Sequence, residues 1–377
     1  MKKSFVAVAV LGAFASTAFA ADVTLYGVVD EGLNYTHKDL DNGKSATNAL
    51  EMKSGNQAGS RFGLKGTEDL GSGYKVGFIL ESGFNADAGS MSVSGTIFNR
   101  EASLSLYTPF GQLSAGKIGA ITQGTSSWGK MGTLSAFGTS YGDFVAQAGQ
   151  IASTTGVWDN MIAYQTPSFA GVKVYAQYSM GKTAAATTDP VASAQVENES
   201  STDRFYALGA TYDNGPAHFL FAVDSTNYKT WDGDRSKDVD DSLTVTLGGN
   251  WDFGVARVYF GGQYYDEVKA SSVGVFKSFE ATDAKVKGYG LTASVSAPVL
   301  GGTSYFGAGY VDASEADSET AEKDYTAWSV SAGYKYDLSK RTNVYGVVTY
   351  AKAKLEVGTT ETKPSAAAVK IGLRHSF

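Results

Sequence analysis

The feature that most constrains this chain is a two-residue alternation of apolar and polar side chains, repeated along its length and interrupted at alternately short and long intervals. Tyr74, Val76, Phe78 and Leu80 alternate with Lys75, Gly77, Ile79 and Glu81. Val172, Val174, Ala176 and Tyr178 alternate with Lys173, Tyr175, Gln177 and Ser179, and Val369, Ile371 and Leu373 with Lys370, Gly372 and Arg374. A period of two puts successive side chains on opposite faces of a strand, so each segment has one apolar face and one charged or polar face. Composition agrees. The 45 glycines and 22 tyrosines in 377 residues, against 6 prolines, describe many short strands rather than helices.

Sixteen strands are expected, at about 23–37, 58–68, 74–85, 97–107, 111–118, 157–165, 171–180, 203–213, 216–228, 241–252, 255–268, 286–297, 302–312, 324–337, 342–354 and 366–377. The gaps after even-numbered strands are tight turns, such as 108–111 and 213–215, whereas those after odd-numbered strands run from about ten to nearly forty residues. Strict alternation of this kind collects all turns at one end and all loops at the other. That is the layout of an all-β, 16-stranded antiparallel transmembrane β-barrel of the outer-membrane type. A Greek-key sandwich shares the dyad period but does not sort its connections in this way. Energetics choose the face. Assigning the polar parity to the lumen takes Arg61, Lys65, Lys75, Lys173, Lys370 and Arg374 out of lipid, where each would cost roughly 2–4 kcal/mol at mid-bilayer.

Residues 1–20 have a different pattern: Lys2 and Lys3, an apolar run from Phe5 to Phe14, then Ala18 and Ala20 in a small-x-small arrangement. This describes a signal peptide cleaved after Ala20, leaving 21–377 as one barrel domain. Cleavage removes two lysines, so the formal charge of −7 becomes −9. No later apolar run is long enough for a spanning helix, which needs about 18 residues or more. An acidic chain of pI near 5.1 argues against nucleic acid as a partner. The absence of cysteine removes disulfides, thiol nucleophiles and Cys-ligated zinc, and with no phosphate loop or His-x-x-x-His pattern no cofactor or metal is expected.

Several longer stretches carry a resemblance. Val23-Thr24-Leu25-Tyr26-Gly27-Val28-Val29-Asp30 opens the barrel, followed by Ser60-Arg61-Phe62-Gly63-Leu64-Lys65-Gly66-Thr67-Glu68-Asp69-Leu70-Gly71 and Gly77-Phe78-Ile79-Leu80-Glu81-Ser82. Asp159-Asn160, Pro167-Ser168-Phe169-Ala170-Gly171 and the terminal Gly372-Leu373-Arg374-His375-Ser376-Phe377 come later. In this order they resemble the trimeric general diffusion porins of Gram-negative outer membranes, specifically the β-proteobacterial type. The resemblance implies a homotrimer of water-filled pores among outer-membrane lipids, passing small hydrophilic solutes and ions. It implies that the long gap 119–156 folds into the lumen as a constriction loop, acids on the loop facing bases on the wall. It also implies that the terminal Phe377 addresses the chain to the outer-membrane assembly machinery.

Candidate pore residues follow. Arg61 matches the first wall arginine of the family, on clean lumenal parity, and Lys65 shares its face. Arg100 matches a second arginine, yet shares the parity of Ala102, Leu104 and Leu106, so a bulge or its place near the strand end must turn it inward. Lys117 stands where the family often has arginine, also on lipid-side parity, and Val157 stands where a third arginine is usual. Asp143 and Lys130 are the only charges in 119–156. Glu81 and Lys75 share one lumenal face and are expected to line the bulk pore. Asp30 is expected to pair with a nearby Lys or Arg. The reading is a non-enzymatic pore of weak charge selectivity. Its rivals are a substrate-specific, sugar-type channel using Tyr175, Tyr259, Tyr305, Tyr325 and Tyr345, and a plugged structural or adhesive barrel with acidic outer loops such as 312–324. A barrel hydrolase is the enzymatic rival, but His37, His218 and His375 are not placed to form a Ser-His-Asp arrangement.

Overall fold

A computed structural model of the chain describes residues 22–154, 156–181, 202–228, 240–281, 284–316 and 323–377. The expected signal peptide (1–20) and positions 317–322 of the acidic outer loop lie outside the described residues. Nineteen strand segments form one antiparallel sheet that closes on itself. In chain order they are β1 Asp22–Asp39, β2 Thr47–Ser54, β3 Arg61–Gly71, β4 Tyr74–Asn85, β5 Ser90–Met91, β6 Glu101–Thr108, β7 Gly111–Gly119, β8 Val157–Gln165, β9 Val172–Ser179 and β10 Arg204–Asn214. There follow β11 Ala217–Asn227, β12 Leu243–Asp252, β13 Arg257–Lys269, β14 Lys285–Val299, β15 Gly302–Glu315, β16 Lys323–Asp337, β17 Thr342–Val357, β18 Thr360–Thr362 and β19 Ser365–Ser376. β2 and β3 share one stave against β1, and β5 and β18 are short pieces in loop hairpins, leaving the sixteen staves of a barrel.

Closure is made by β1 and β19, paired from Val28–Ser376 to Asp39–Ser365. No sheet edge is left in lipid, where an unpaired backbone group costs several kcal/mol. Leu25, Leu208, Leu247, Leu291, Phe306 and Ile371 all point outward and are more than half exposed in the isolated chain. Their strand neighbours, such as Thr246, Ser294 and Lys370, are buried inside. The expected face assignment therefore holds along the sheet.

Two departures from the expected strands bear on the lumen. The second stave is interrupted at 55–60, where Asn56, Gln57 and Ser60 are buried within the barrel. Asp30 causes this. Its Oδ2 accepts from Ala58 N at 2.6 Å, its backbone N donates to Ser60 Oγ at 3.0 Å, and its carbonyl accepts from Gly55 N at 2.8 Å. Its other carboxylate oxygen takes the Tyr345 hydroxyl at 2.7 Å, so Asp30 pins backbone and a phenol rather than forming the ion pair expected of it. The fourth stave starts at Glu101 rather than at 97, which leaves Arg100 outside the strand and free of its parity.

Candidate functional site

The loop 119–156 leaves β7, crosses the lumen and returns at β8. Wall side chains of lumenal parity satisfy its backbone around the circumference. Gln177 accepts from Ile121 N at 2.8 Å and donates to Gly119 O at 3.1 Å. Gln263 accepts from Ser153 N at 2.7 Å, Ser294 from Ala136 N at 2.8 Å and Ser331 from Ala146 N at 2.9 Å. Each such bond contributes about 0.5–1.5 kcal/mol net, and a buried amide left without one costs more. The loop tip is conformationally strained: Tyr141 and Phe144 sit at φ +70° and +67°, a region bulky residues rarely occupy. Two wall groups hold it. Lys370 Nζ donates to the Tyr141 and Asp143 carbonyls at 2.6 and 3.0 Å, and Thr349 Oγ1 donates to the Phe144 carbonyl at 2.7 Å.

A second loop, between β13 and β14, also turns inward. Its short helix Gly274–Ser278 buries Val275 and Phe276, with Phe276 5.4 Å from the Tyr325 ring and Phe279 5.1 Å from the Phe144 ring. Ser153 bridges to Val273, Ser278 Oγ donates to Asp143 Oδ1 at 3.4 Å, and Glu280 pairs with Lys38 at the rim. Nothing in the alternation of this stretch had marked it as lumenal. Together the loops pack against the β13–β17 side. Tyr175, Tyr305, Tyr325 and Tyr345 pack against them rather than forming a ladder for sugars.

A cavity of about 490 Å³ lies open between the first loop and the wall of β1, β3, β4 and β6. Tyr26, Gln57, Arg61, Glu81, Arg100 and Glu101 line the wall side, facing Thr125–Ser127 and Thr139–Gly142 of the loop. Glu81 is the hub. Its Oε1 lies 2.6 Å from Arg100 Nε, and its Oε2 lies 3.5 Å from Arg61 Nε and 3.0 Å from the Tyr26 hydroxyl. Glu81 was expected to line the bulk pore and instead joins both arginines. Arg100, expected on lipid-side parity, faces inward and also donates to Thr125 O at 3.1 Å. Glu101, missed in the sequence although its parity opposes Ala102 and Leu104, accepts from Ser127 N and Ser127 Oγ, both at 2.9 Å.

The other candidates are placed elsewhere. Lys65 lies 5.1 Å from the Tyr26 ring centroid, next to the cavity rather than lining it. Asp143 is exposed on the loop tip, its carboxylate turned toward Ser278. Lys75 departs from expectation: it is exposed at a tight turn, 3.5 Å from Asp69, because alternation reads a side chain's face and not its height along the barrel. Lys117, a pore candidate by resemblance, instead keeps the lipid-side parity that alternation gave it: it shares the face of Ala115 and pairs with Asp159, where β8 carries an extra residue opposite the Gly116–Ile118 step. Trp158, stacked on Phe205 at 5.1 Å, takes the lumenal parity beside Val157. On the loop, burial and the neighbouring Lys173 hold the Lys130 ammonium below the ordinary lysine range, and burial pushes the Tyr141 phenol up.

A closed antiparallel barrel, apolar outside and charged inside with a loop folded across its lumen, defines an outer-membrane channel. The chain belongs to the Gram-negative porin family, whose profile matches residues 7–355. It is 33% identical to an outer membrane porin protein of Bordetella pertussis and 30% identical to outer membrane porin protein 32 of Delftia acidovorans, each over the full length of both chains. Among solved structures it is similar to the anion-selective porin from Comamonas acidovorans, with a TM-score of 0.68 and 25% identity over 95% of this chain and 100% of that one. The protein is an outer-membrane porin, a water-filled channel for passive diffusion of small hydrophilic solutes.

Proposed function

We propose that the cavity beside Glu81 is the constriction of this pore, and that it passes small anions with a weak preference over cations. The observation that carries the reading is the Arg61–Glu81–Arg100 cluster facing the loop tip across a lined opening. Two arginines are nearly offset by Glu81 and Glu101, with Lys65 adjacent, so the bias is small. Outer-loop acids matter little at this depth, since the Debye length at physiological salt is about 8 Å. The similarity to an anion-selective porin supports the same sign.

Assembly as a homotrimer among outer-membrane lipids, with Phe377 read by the assembly machinery, completes the proposal. No further activity is needed to account for the side chains in the lumen. In planar bilayers the purified protein is expected to give steady conductance proportional to salt concentration and a reversal potential on the anion side. A barrel that does not conduct, or a reversal potential clearly on the cation side, overturns the reading.

A further inference from the structure

The ionisable side chains that line the cavity balance: Arg61 and Arg100 against Glu81 and Glu101, with Tyr26 and Tyr141 neutral. A sign of selectivity therefore has to come from charge just behind the lining. Lys370 is placed there. It lies in β19 between the outward Val369 and Ile371, and only 1% of its surface is exposed. Its Nζ sits on the carbonyls of Tyr141 and Asp143 and would be 3.1 Å from a Cβ on Gly142. Tyr141 and Gly142 are themselves cavity lining. The ammonium is thus one backbone thickness from the permeating ions.

Among the described residues no carboxylate lies within ion-pair distance of Lys370. Asp143, whose own carbonyl Lys370 holds, turns its carboxylate to Ser278. Glu51 is held by Lys53 at 3.8 Å and by Asn34 at 2.9 Å. Asp30 is satisfied by Tyr345 and Ala58. A cation without a paired anion, enclosed by protein rather than water, acts over a longer distance than an exposed one. Its separation from the cavity is also within the screening length of about 8 Å.

We infer that Lys370 is a selectivity-determining residue of this pore, acting on permeating anions through the loop tip it holds. The inference rests on the proposed constriction but not on the sign of the parent's selectivity. The test is the reversal potential of Lys370→Met and Lys370→Arg channels across a tenfold salt gradient. The anion-to-cation permeability ratio is expected to fall about twofold or more in Lys370→Met and to stay near the parent value in Lys370→Arg. A Lys370→Met channel that conducts with an unchanged ratio overturns it. So does a change confined to conductance, which is what a clamp on the loop alone would give. If Lys370→Met does not assemble, Lys370→Gln decides, since it is neutral yet still a donor to the Tyr141 and Asp143 carbonyls: the same fall is expected, and an unchanged ratio overturns the inference. A parent on the cation side would refute the proposed sign while leaving the direction of the Lys370 shift as a separate result.

Discussion

Arg100 and Glu81 are joined Nε to Oε1 at 2.6 Å although alternation along the sequence assigns them to opposite faces. The pair forms because β6 begins one residue after Arg100, whose backbone N still bonds Glu81 O at 3.2 Å. Glu81 thereby offsets the two arginines it touches. Glu81→Gln removes that charge and should strengthen anion preference severalfold, read as a shift of reversal potential. An unmoved potential would place the constriction away from β4.

Shortening either infolded loop should widen the pore. Excising residues between Thr125 and Thr154 removes the element that bounds the cavity. Replacing Gly274–Glu280 by a short Gly/Ser link removes Phe276 and Phe279 from the β13–β17 side. Single-channel conductance should rise in both, more in the first. Unchanged conductance in the second, from folded barrels, would show that this loop does not limit flow.

Closure at the C-terminus depends on a close approach. A Cβ on Gly27 would lie 2.3 Å from Phe377 Cζ and 2.6 Å from the Arg61 carbonyl, where Gly27 and Phe377 exchange both backbone bonds at 3.1 Å. Gly27→Ala forces the ring or the strand to move, at about 1–3 kcal/mol as for overpacking elsewhere. Deleting Phe377 removes the ring and shortens the seam. Heat-modifiable barrel in outer-membrane fractions should fall for Gly27→Ala and vanish for the deletion. Parent levels in the deletion would exclude a role for Phe377 in assembly.

The lipid face gives a simpler expectation. Leu247, at the middle of β12, is 61% exposed in the isolated chain. Leu247→Arg should lower refolding stability in lipid vesicles by roughly 2–4 kcal/mol. A loss below about 0.5 kcal/mol would put Leu247 near an interface rather than at mid-bilayer.

The barrel was legible because lipid and water price the two faces of every strand so differently that period two survives along the whole chain. Turn and loop lengths then settled the direction. The cavity was only partly legible. Arg61 could be placed because it lies within a regular strand, whereas Arg100 could not, since its orientation depends on where β6 starts. Lys75 shows the limit of the pattern, which carries no height, and Lys117 the limit of the resemblance, since alternation alone already gave it the lipid-side face it takes. The inward turn of Gly274–Ser278 left no trace, because an apolar pair such as Phe276 and Phe279 reads alike in a loop tip and in a lumenal plug.

The most direct test of the account is the reversal potential of the parent and of the Arg61→Ala/Arg100→Ala double variant, measured in planar bilayers across a salt gradient. The account expects a weakly anion-preferring parent and a double variant shifted to cation preference, both conducting steadily. A double variant with the parent's reversal potential would contradict it, because ions would then be passing somewhere other than between the loop tip and the Arg61–Glu81–Arg100 wall.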